Sequence, residues 1–287
     1  MEAYAQPIVN GILLGGLYAI IAIGMSTMFG IVKLVNLAHG DLMILSSFLC
    51  LTLVTSLGVS PLWTLVVVVP VMYFVGYFVQ GYLLNRVLGK EMEPPLLVAF
   101  GLSIIIQNLL LLVYTPDARS LMTPLAVKTI PVSGYLSIPV IYLLDFVMAL
   151  VVIACLYYVF QKTYMGRAIR AASDDEGAAQ LMGVDTRNIY AKAMGIAMMT
   201  AGVAGVLVGM TFTFYPHTGA QYLIIAFGVV VIGGLGSMKG TLVGGLILAV
   251  AQLLGAQIFG PGYQLFCGYV VLLIVLAVRP QGIFGTV

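Results

Sequence analysis

The run LWTLVVVVPVMYFVGYFVQGYLLN, residues 62–85, carries no charged side chain across 24 positions. A helix rises about 1.5 Å per residue, so such a run crosses a hydrocarbon core about 30 Å thick with length to spare. Working outward, comparable apolar segments stand at 8–30, 41–59, 94–116, 137–160, 190–214, 222–237, 240–260 and 263–279. Hydrocarbon cannot satisfy backbone N–H and C=O groups, and the period-2 alternation of a barrel strand is absent. The expectation is an all-α, polytopic integral membrane protein with eight or nine transmembrane or re-entrant helices. Composition agrees: 62% of residues are apolar and 8% charged, against about 45–50% and 25% in a soluble domain. The longest polar interval, 161–192, leaves no room for a soluble domain.

The net charge of +2 gives no reason to expect a nucleic-acid partner. Cys50, Cys155 and Cys267 are odd in number, lie in apolar segments and lack metal-ligand spacing, so neither a disulfide framework nor a metal site is expected. No basic region precedes the first apolar run, which is of spanning length, so a signal peptide is not expected either. Orientation follows from Lys and Arg. The interval 161–192 holds Lys162, Arg167, Arg170, Arg187 and Lys192 and is placed in the cytoplasm. Counting spans outward puts Lys33, Arg86, Lys90, Lys239 and Arg279 on the same side, and only Arg119 and Lys128 opposite. The N-terminus is then external and the C-terminus cytoplasmic. The segment 222–237 is short and ends in Gly233-Gly234-Leu235-Gly236-Ser237, so it either spans or re-enters. Ala99-Phe100-Gly101 and Ala226-Phe227-Gly228 sit in segments of opposite direction and hint at an inverted repeat.

Polar groups inside spans are costly and point to function by default. The stretch VNLAHGDLMIL, residues 35–45, places Asn36, His39, Gly40 and Asp41 between two apolar runs. It reads either as a capped turn, with Gly40 allowing the bend, or as a polar collar at the inner mouth of a pathway. Gln107 and Asn108 lie mid-segment and point about 100° apart on a helix, so one can face a pathway while the other bonds a neighbour. Asp145, Gln252 and Gln257 read as hydrogen-bonding glue between helices, and His217 as a loop residue. Enzymatic chemistry is not expected: the two histidines are far apart and no catalytic motif occurs, so no catalytic residue is assigned. GGLGSMKGT lacks the Gly-Lys-Ser/Thr order of a phosphate loop.

Within YMGRAIRAASDDEGAAQLMGVDTRNIY, Ser173-Asp174-Asp175-Glu176 is a good helix start and Gly183 a natural stop. A short acid-led helix among arginines reads as a docking element or a solvated connector. Glu176-x-Ala178-Ala179-x-x-x-Gly183 is similar to the coupling loop of ABC-importer permeases, with Gly177 where the first alanine of that pattern would stand. Together with GGLYAIIAIGMSTMFGIVKLVNLAHGDLMIL, AFGVVVIGGLGSMKGTLVGG and RPQGIFG, it makes the chain resemble permeases of the branched-chain amino acid family (LivH-type) from residue 15 to 285.

The resemblance implies one transmembrane permease domain over 1–287, with 161–190 as its cytoplasmic coupling loop. It implies an ATP-driven importer subunit for branched-chain or related neutral amino acids, in a bacterial inner membrane. Asp174, Asp175, Glu176, Ala178, Ala179 and Gly183 would couple to the ATPase. Asn36, His39, Gly40, Asp41, Gln107 and Asn108 are the candidates for the path or gate. The implied partners are a second related permease, two ATPases, a periplasmic binding protein and membrane lipid; ATP and Mg belong to the ATPases and no cofactor to this chain. Urea or a short amide would suit the same apolar lining. A rival class is a stand-alone proton-coupled transporter using Asp145, Asp41 and His39; another is a membrane scaffold that moves nothing.

Overall fold

The computed structural model describes residues 2–88, 93–133 and 136–285; Lys90 lies outside the described residues. Among the described residues, eight helices are long and apolar enough to span a membrane. The chain forms α1 (Glu2–Val32), α2 (His39–Leu57), α3 (Pro61–Phe78) and α4 (Glu93–Tyr114). α3 runs on through a π turn, Val79–Leu83, and a 3-10 turn, Leu84–Arg86. A short α5 (Pro124–Val127) and the antiparallel strands β1 (Thr129–Ser133) and β2 (Leu136–Pro139) precede α6 (Val140–Lys162). Then follow α7 (Tyr164–Asp174), α8 (Glu176–Leu181), α9 (Thr186–Thr211), α10 (Gly219–Gly233), α11 (Met238–Phe259) and α12 (Gln264–Val278). The β-hairpin is an addition to the all-helical expectation, and Gln6 ties it to α1 through bonds to both the N–H and the carbonyl of Ser137.

Local chemistry sets the helix ends. Gly58 closes α2 in the left-handed conformation with φ 66°, donating to Val54 O, and Pro61 opens α3 where its missing N–H costs nothing. Asp185 and Ser237 cap α9 and α11 through Asn188 N and Gly240 N.

Two helices do not start at a membrane boundary. After α1 the chain turns back, and His39 Nε2 lies 2.9 Å from the carbonyl of Ile21. Ile21 stands eleven residues before the end of α1, about 16 Å at the helical rise. Half of a core about 30 Å thick separates the start of α2 from the α1 exit. α10 begins at the same depth, because Gly219 packs on Gly40 and Asp41. The segment 222–237 therefore crosses: residues 212–218 descend as irregular backbone and 219–233 complete the passage as helix. Its break lies before the helix rather than at the glycine-rich end.

The packing has an inverted internal symmetry. α1 packs along α11 as α9 packs along α3; α10 lies on α1 as α2 lies on α9; α2 and α10 touch each other. The two halves, α1–α4 and α9–α12, run in opposite directions, as in many transporters. In this pairing α10 answers to α2 and α4 to α12, so the two Ala-Phe-Gly triplets are not equivalent. The shared core is the α1–α9 crossing, where Leu17, Ile20, Ile21, Ala197 and Ala201 are fully buried.

Of the twelve Lys and Arg residues, Arg119 and Lys128 lie at the hairpin end. The other described ones gather at the end formed by α7, α8 and the starts or stops of α1, α3, α9, α11 and α12. That end is held together by Ser173 Oγ donating to Gly30 O at 2.8 Å and Asn85 Nδ2 to Arg187 O at 2.9 Å.

Gly40 is required by close approach rather than by a turn: it is helical, and a Cβ there would overlap the carbonyl of Gly219. Gly40→Ala is expected to cost about 1–3 kcal/mol of stability through overpacking. Gly101→Ala, in a helix with nothing near its Cβ position, is expected to be neutral or to gain up to about 1 kcal/mol. Thermal denaturation of the detergent-purified protein measures both; equal losses would remove the close approach as the cause.

Candidate functional site

The first polar centre lies where α2 and α10 begin. Asn36 Oδ1 accepts from Ala38 N at 3.0 Å, and its carbonyl accepts from His39 N at 3.1 Å, so residues 33–38 form a tethered turn and not a helix. His39 Nε2 must carry its proton, since the Ile21 carbonyl can only accept. Asp41 takes Ser103 Oγ at 2.5 Å on one carboxylate oxygen and Gln107 Nε2 at 3.0 Å on the other. Gln107 also reaches Ser103 Oγ at 3.3 Å. Asn108 points the other way, exposed, with Nδ2 donating to Ile104 O at 2.8 Å. The angular separation on α4 turns the two amides apart: Gln107 bonds α2, while Asn108 bonds only its own helix.

The location differs from the cytoplasmic mouth. Asn36, His39 and Asp41 are 5%, 1% and 1% exposed and stand at half depth; Asn36 ties its own turn, while His39 and Asp41 bond neighbouring helices. Asp41 joins α2 to α4, and His39 joins α2 to α1. Two further pairs do the same work. Thr211 Oγ1 donates to Asp145 Oδ2 at 3.0 Å, linking α9 to α6, and Tyr18 Oη donates to Gln252 at 2.7 Å, linking α1 to α11. Gln257 faces outward.

The second centre is α7–α8. Thr163 caps α7 at Gly166 N (3.1 Å), and Asp175, standing between the helices, caps α8 at Ala178 N (2.9 Å). Asp174 is the last residue of α7, and Ala179 is buried. Gly183, at φ +83°, closes the turn, with Val184 N bonding Ala179 O at 3.0 Å. Glu176 accepts from Gln180 and from the buried Thr186, both at 3.2 Å, so it fixes α8 to the start of α9. Tyr190 Oη to Ala172 O (3.2 Å) and Ser173 to Gly30 anchor α7 to α9 and α1. A Cβ on Gly177 would meet only Asp175 Oδ1 at 3.4 Å, so an alanine fits there too.

Sequence reading passed over Leu181 and Met182. They are 90% and 85% exposed at the tip of this rigid unit. Two adjacent apolar residues at the end of a short helix, just before a glycine in a polar interval, were the available signal.

The third feature is a cavity of about 420 Å³ at the start of α10, lined by Phe212, Thr213, Tyr215, His217, Thr218, Gln221 and Tyr222. Thr218 Oγ1 accepts from Tyr215 N at 2.7 Å and donates to Tyr215 O at 2.8 Å, which closes the turn. The His217 ring stacks on Tyr215 with centroids 5.5 Å apart. Phe214 pairs with Arg119 in both directions, pinning the loop to the segment after α4.

Comparison with known proteins covers nearly the whole chain. The family model described as "Branched-chain amino acid transport system / permease component" matches residues 7–276. The high-affinity branched-chain amino acid transport system permease protein BraD of Pseudomonas aeruginosa is 34% identical, over 98% of this chain and 96% of its own. LivH of Escherichia coli K12, of the same description, is 31% identical over the same shares. The ribose import permease protein RbsC of Haemophilus influenzae is 25% identical over 93% and 82%. A chain of PsaBC from Streptococcus pneumoniae, solved in complex with Fab, shares the fold with a TM-score of 0.52 at 11% identity, over 95% of this chain and 92% of that one.

The Asp41–Ser103–Gln107 network is expected to behave as a unit. Ser103→Ala should cost about 1–3 kcal/mol by leaving a buried carboxylate oxygen without its donor. In a cycle with Asp41→Asn the coupling should reach about 0.5–3 kcal/mol. Additive losses in thermal denaturation would sink the network.

Proposed function

The chain belongs to the family of branched-chain amino acid transport permease components, and from that premise we propose that it is one membrane-spanning subunit of an ATP-driven importer for branched-chain or related neutral amino acids. It is a multi-pass membrane protein and a transport component. The proposed assembly adds a second, related permease, two cytoplasmic ATPases that bind ATP and Mg, and a periplasmic binding protein, all in a bacterial inner membrane. The cation-rich α7–α8 end supports a cytoplasmic placement, with the N-terminus external and the C-terminus inside. The hairpin end, where Met122 and Val127 are exposed, then faces the binding protein.

The single observation that carries the coupling reading is the exposed Leu181–Met182 tip on a unit bonded to α1 and α9. An apolar tip needs a partner surface, and a rigid mount is what transmits a push. When the ATPases close on their nucleotide, they displace α8. Asp175 and Gly183 keep α8 in shape, while Ser173–Gly30 and Tyr190–Ala172 carry the displacement to the two helices that cross at the core. Asp174, Glu176, Ala178 and Ala179 act through this mounting.

Several observations favour this over the rivals. A proton relay would need Asp145, Asp41 and His39 in sequence, yet each is committed to a different helix partner. The nearly full-length relatives at 31–34% identity are named for branched-chain amino acids, and the sugar permease is more distant, which supports an amino-acid cargo over urea or an amide.

The test is reconstitution of the complete complex in proteoliposomes, with L-leucine uptake read against ATP and binding protein. Leu181→Asp together with Met182→Asp is expected to lower uptake and binding-protein-stimulated ATP hydrolysis at least about tenfold, the loss of an apolar contact centre. Thermal stability of the isolated chain should stay unchanged. Uptake by this chain alone on a proton gradient would refute the importer reading.

A further inference from the structure

The descending segment Phe212–Thr218 poses a problem of solvation. It begins at Thr211, which is level with Asp145, five residues inside α6, and ends at Gly219, at half depth against Asp41. Phe214 and Thr218 have their backbone and hydroxyl groups paired within the chain. Thr213, His217 and Gln221 are exposed on one flank, and among the described residues His217 stacks on Tyr215 while none of the three side chains has a hydrogen-bond partner. Irregular backbone and polar side chains at this depth cannot face lipid; they are tolerated where they are buried in protein or line water. A cavity of about 420 Å³ opens on that flank, within the size range of small-molecule sites.

The lining chemistry is specific. It offers hydroxyl, imidazole and amide groups but no carboxylate, lysine or arginine, which suits a ligand without net charge that still carries strong donors and acceptors. Below Gln221, α10 presents Ile224 and Phe227 at a spacing of three, both partly exposed on one flank of the helix. A polar pocket followed by an apolar rail matches a zwitterionic amino acid with an aliphatic side chain.

We propose that this cavity receives the amino acid from the external side: Thr213, His217 and Gln221 bond its ammonium and carboxylate groups, and Ile224 and Phe227 carry its side chain inward. The assignment rests on the importer reading above and names the residues that touch the cargo. Asp41 and Thr211–Asp145 are positioning groups, holding the floor and rim of the cavity.

The test uses the complete transporter in proteoliposomes. Gln221→Cys and His217→Cys are expected to react with a charged, membrane-impermeant thiol reagent added on the binding-protein side, above the level of the unmodified parent. Binding protein loaded with L-leucine should slow that reaction. Gln221→Ala is expected to reduce L-leucine uptake roughly tenfold, with assembly by size-exclusion chromatography retained. No reaction at either cysteine, while Thr55→Cys at the exposed end of α2 reacts, would overturn the proposal by showing the flank closed to water. So would uptake within twofold of the parent for Thr213→Ala, His217→Ala and Gln221→Ala alike. Should the parent complex carry a different cargo and not L-leucine, the amino-acid reading fails; unchanged uptake of that cargo in these variants then overturns the cavity separately.

Discussion

A helix that starts at half depth leaves N–H groups where hydrocarbon cannot accept them. This chain contains two such starts, α2 and α10, and brings them together at Gly40 and Gly219. Pairing the two exposed backbone regions against each other, between α1 and α9, removes both from lipid at once. The rest follows from that contact. Glycine stands on both sides because any Cβ would separate them, and Asp41 sits beside the junction with its oxygens taken by Ser103 and Gln107. The outer helices α4 and α12 complete the two oppositely running halves.

Such a junction also concentrates the polar groups of the spans in a few places with different duties. His39, Asp41, Asp145 and Gln252 are each bonded across a helix boundary. These bonds lock the angle at which helices cross. The cavity above α10 differs in kind, since its exposed side chains have donors and acceptors to offer. At the opposite end, α7 and α8 are capped and tied to α1 and α9. Leu181 and Met182 thus stand on a unit bonded to the same two helices that carry the central junction.

Much of the outline was legible from residues alone. The apolar runs located the spanning helices to within six positions, and Ser173–Glu176 and Gly183 bracketed α8, although Ser173 and Asp174 close α7. Helical geometry alone turned Gln107 and Asn108 apart. The path candidates fared differently. Asn36, His39 and Asp41 read either as a capped turn or as a collar at a mouth, because their polarity was visible while the backward turn of residues 33–38 was not. His217 read as an ordinary loop residue because nothing local shows that its loop descends between helices. The apolar tip of α8 escaped notice since an exposed leucine looks the same in sequence as a buried one.

The sequence by itself determined residence in the membrane, the positions of the apolar runs, the gathering of cations toward one end and the capping residues of the 161–190 interval. Each depends on composition or spacing within one segment, measured against a fixed hydrocarbon thickness or a fixed helical period. Only the tertiary structure decided the depth at which α2 and α10 begin, the pairing of the two inverted halves, and which polar side chains bond across helices and which stand exposed. Depth and partner are set by contacts between segments as much as 234 residues apart, such as Gly40 with Gly219 and Tyr18 with Gln252. No local pattern encodes such a contact, because its energy exists only once both helices are in place.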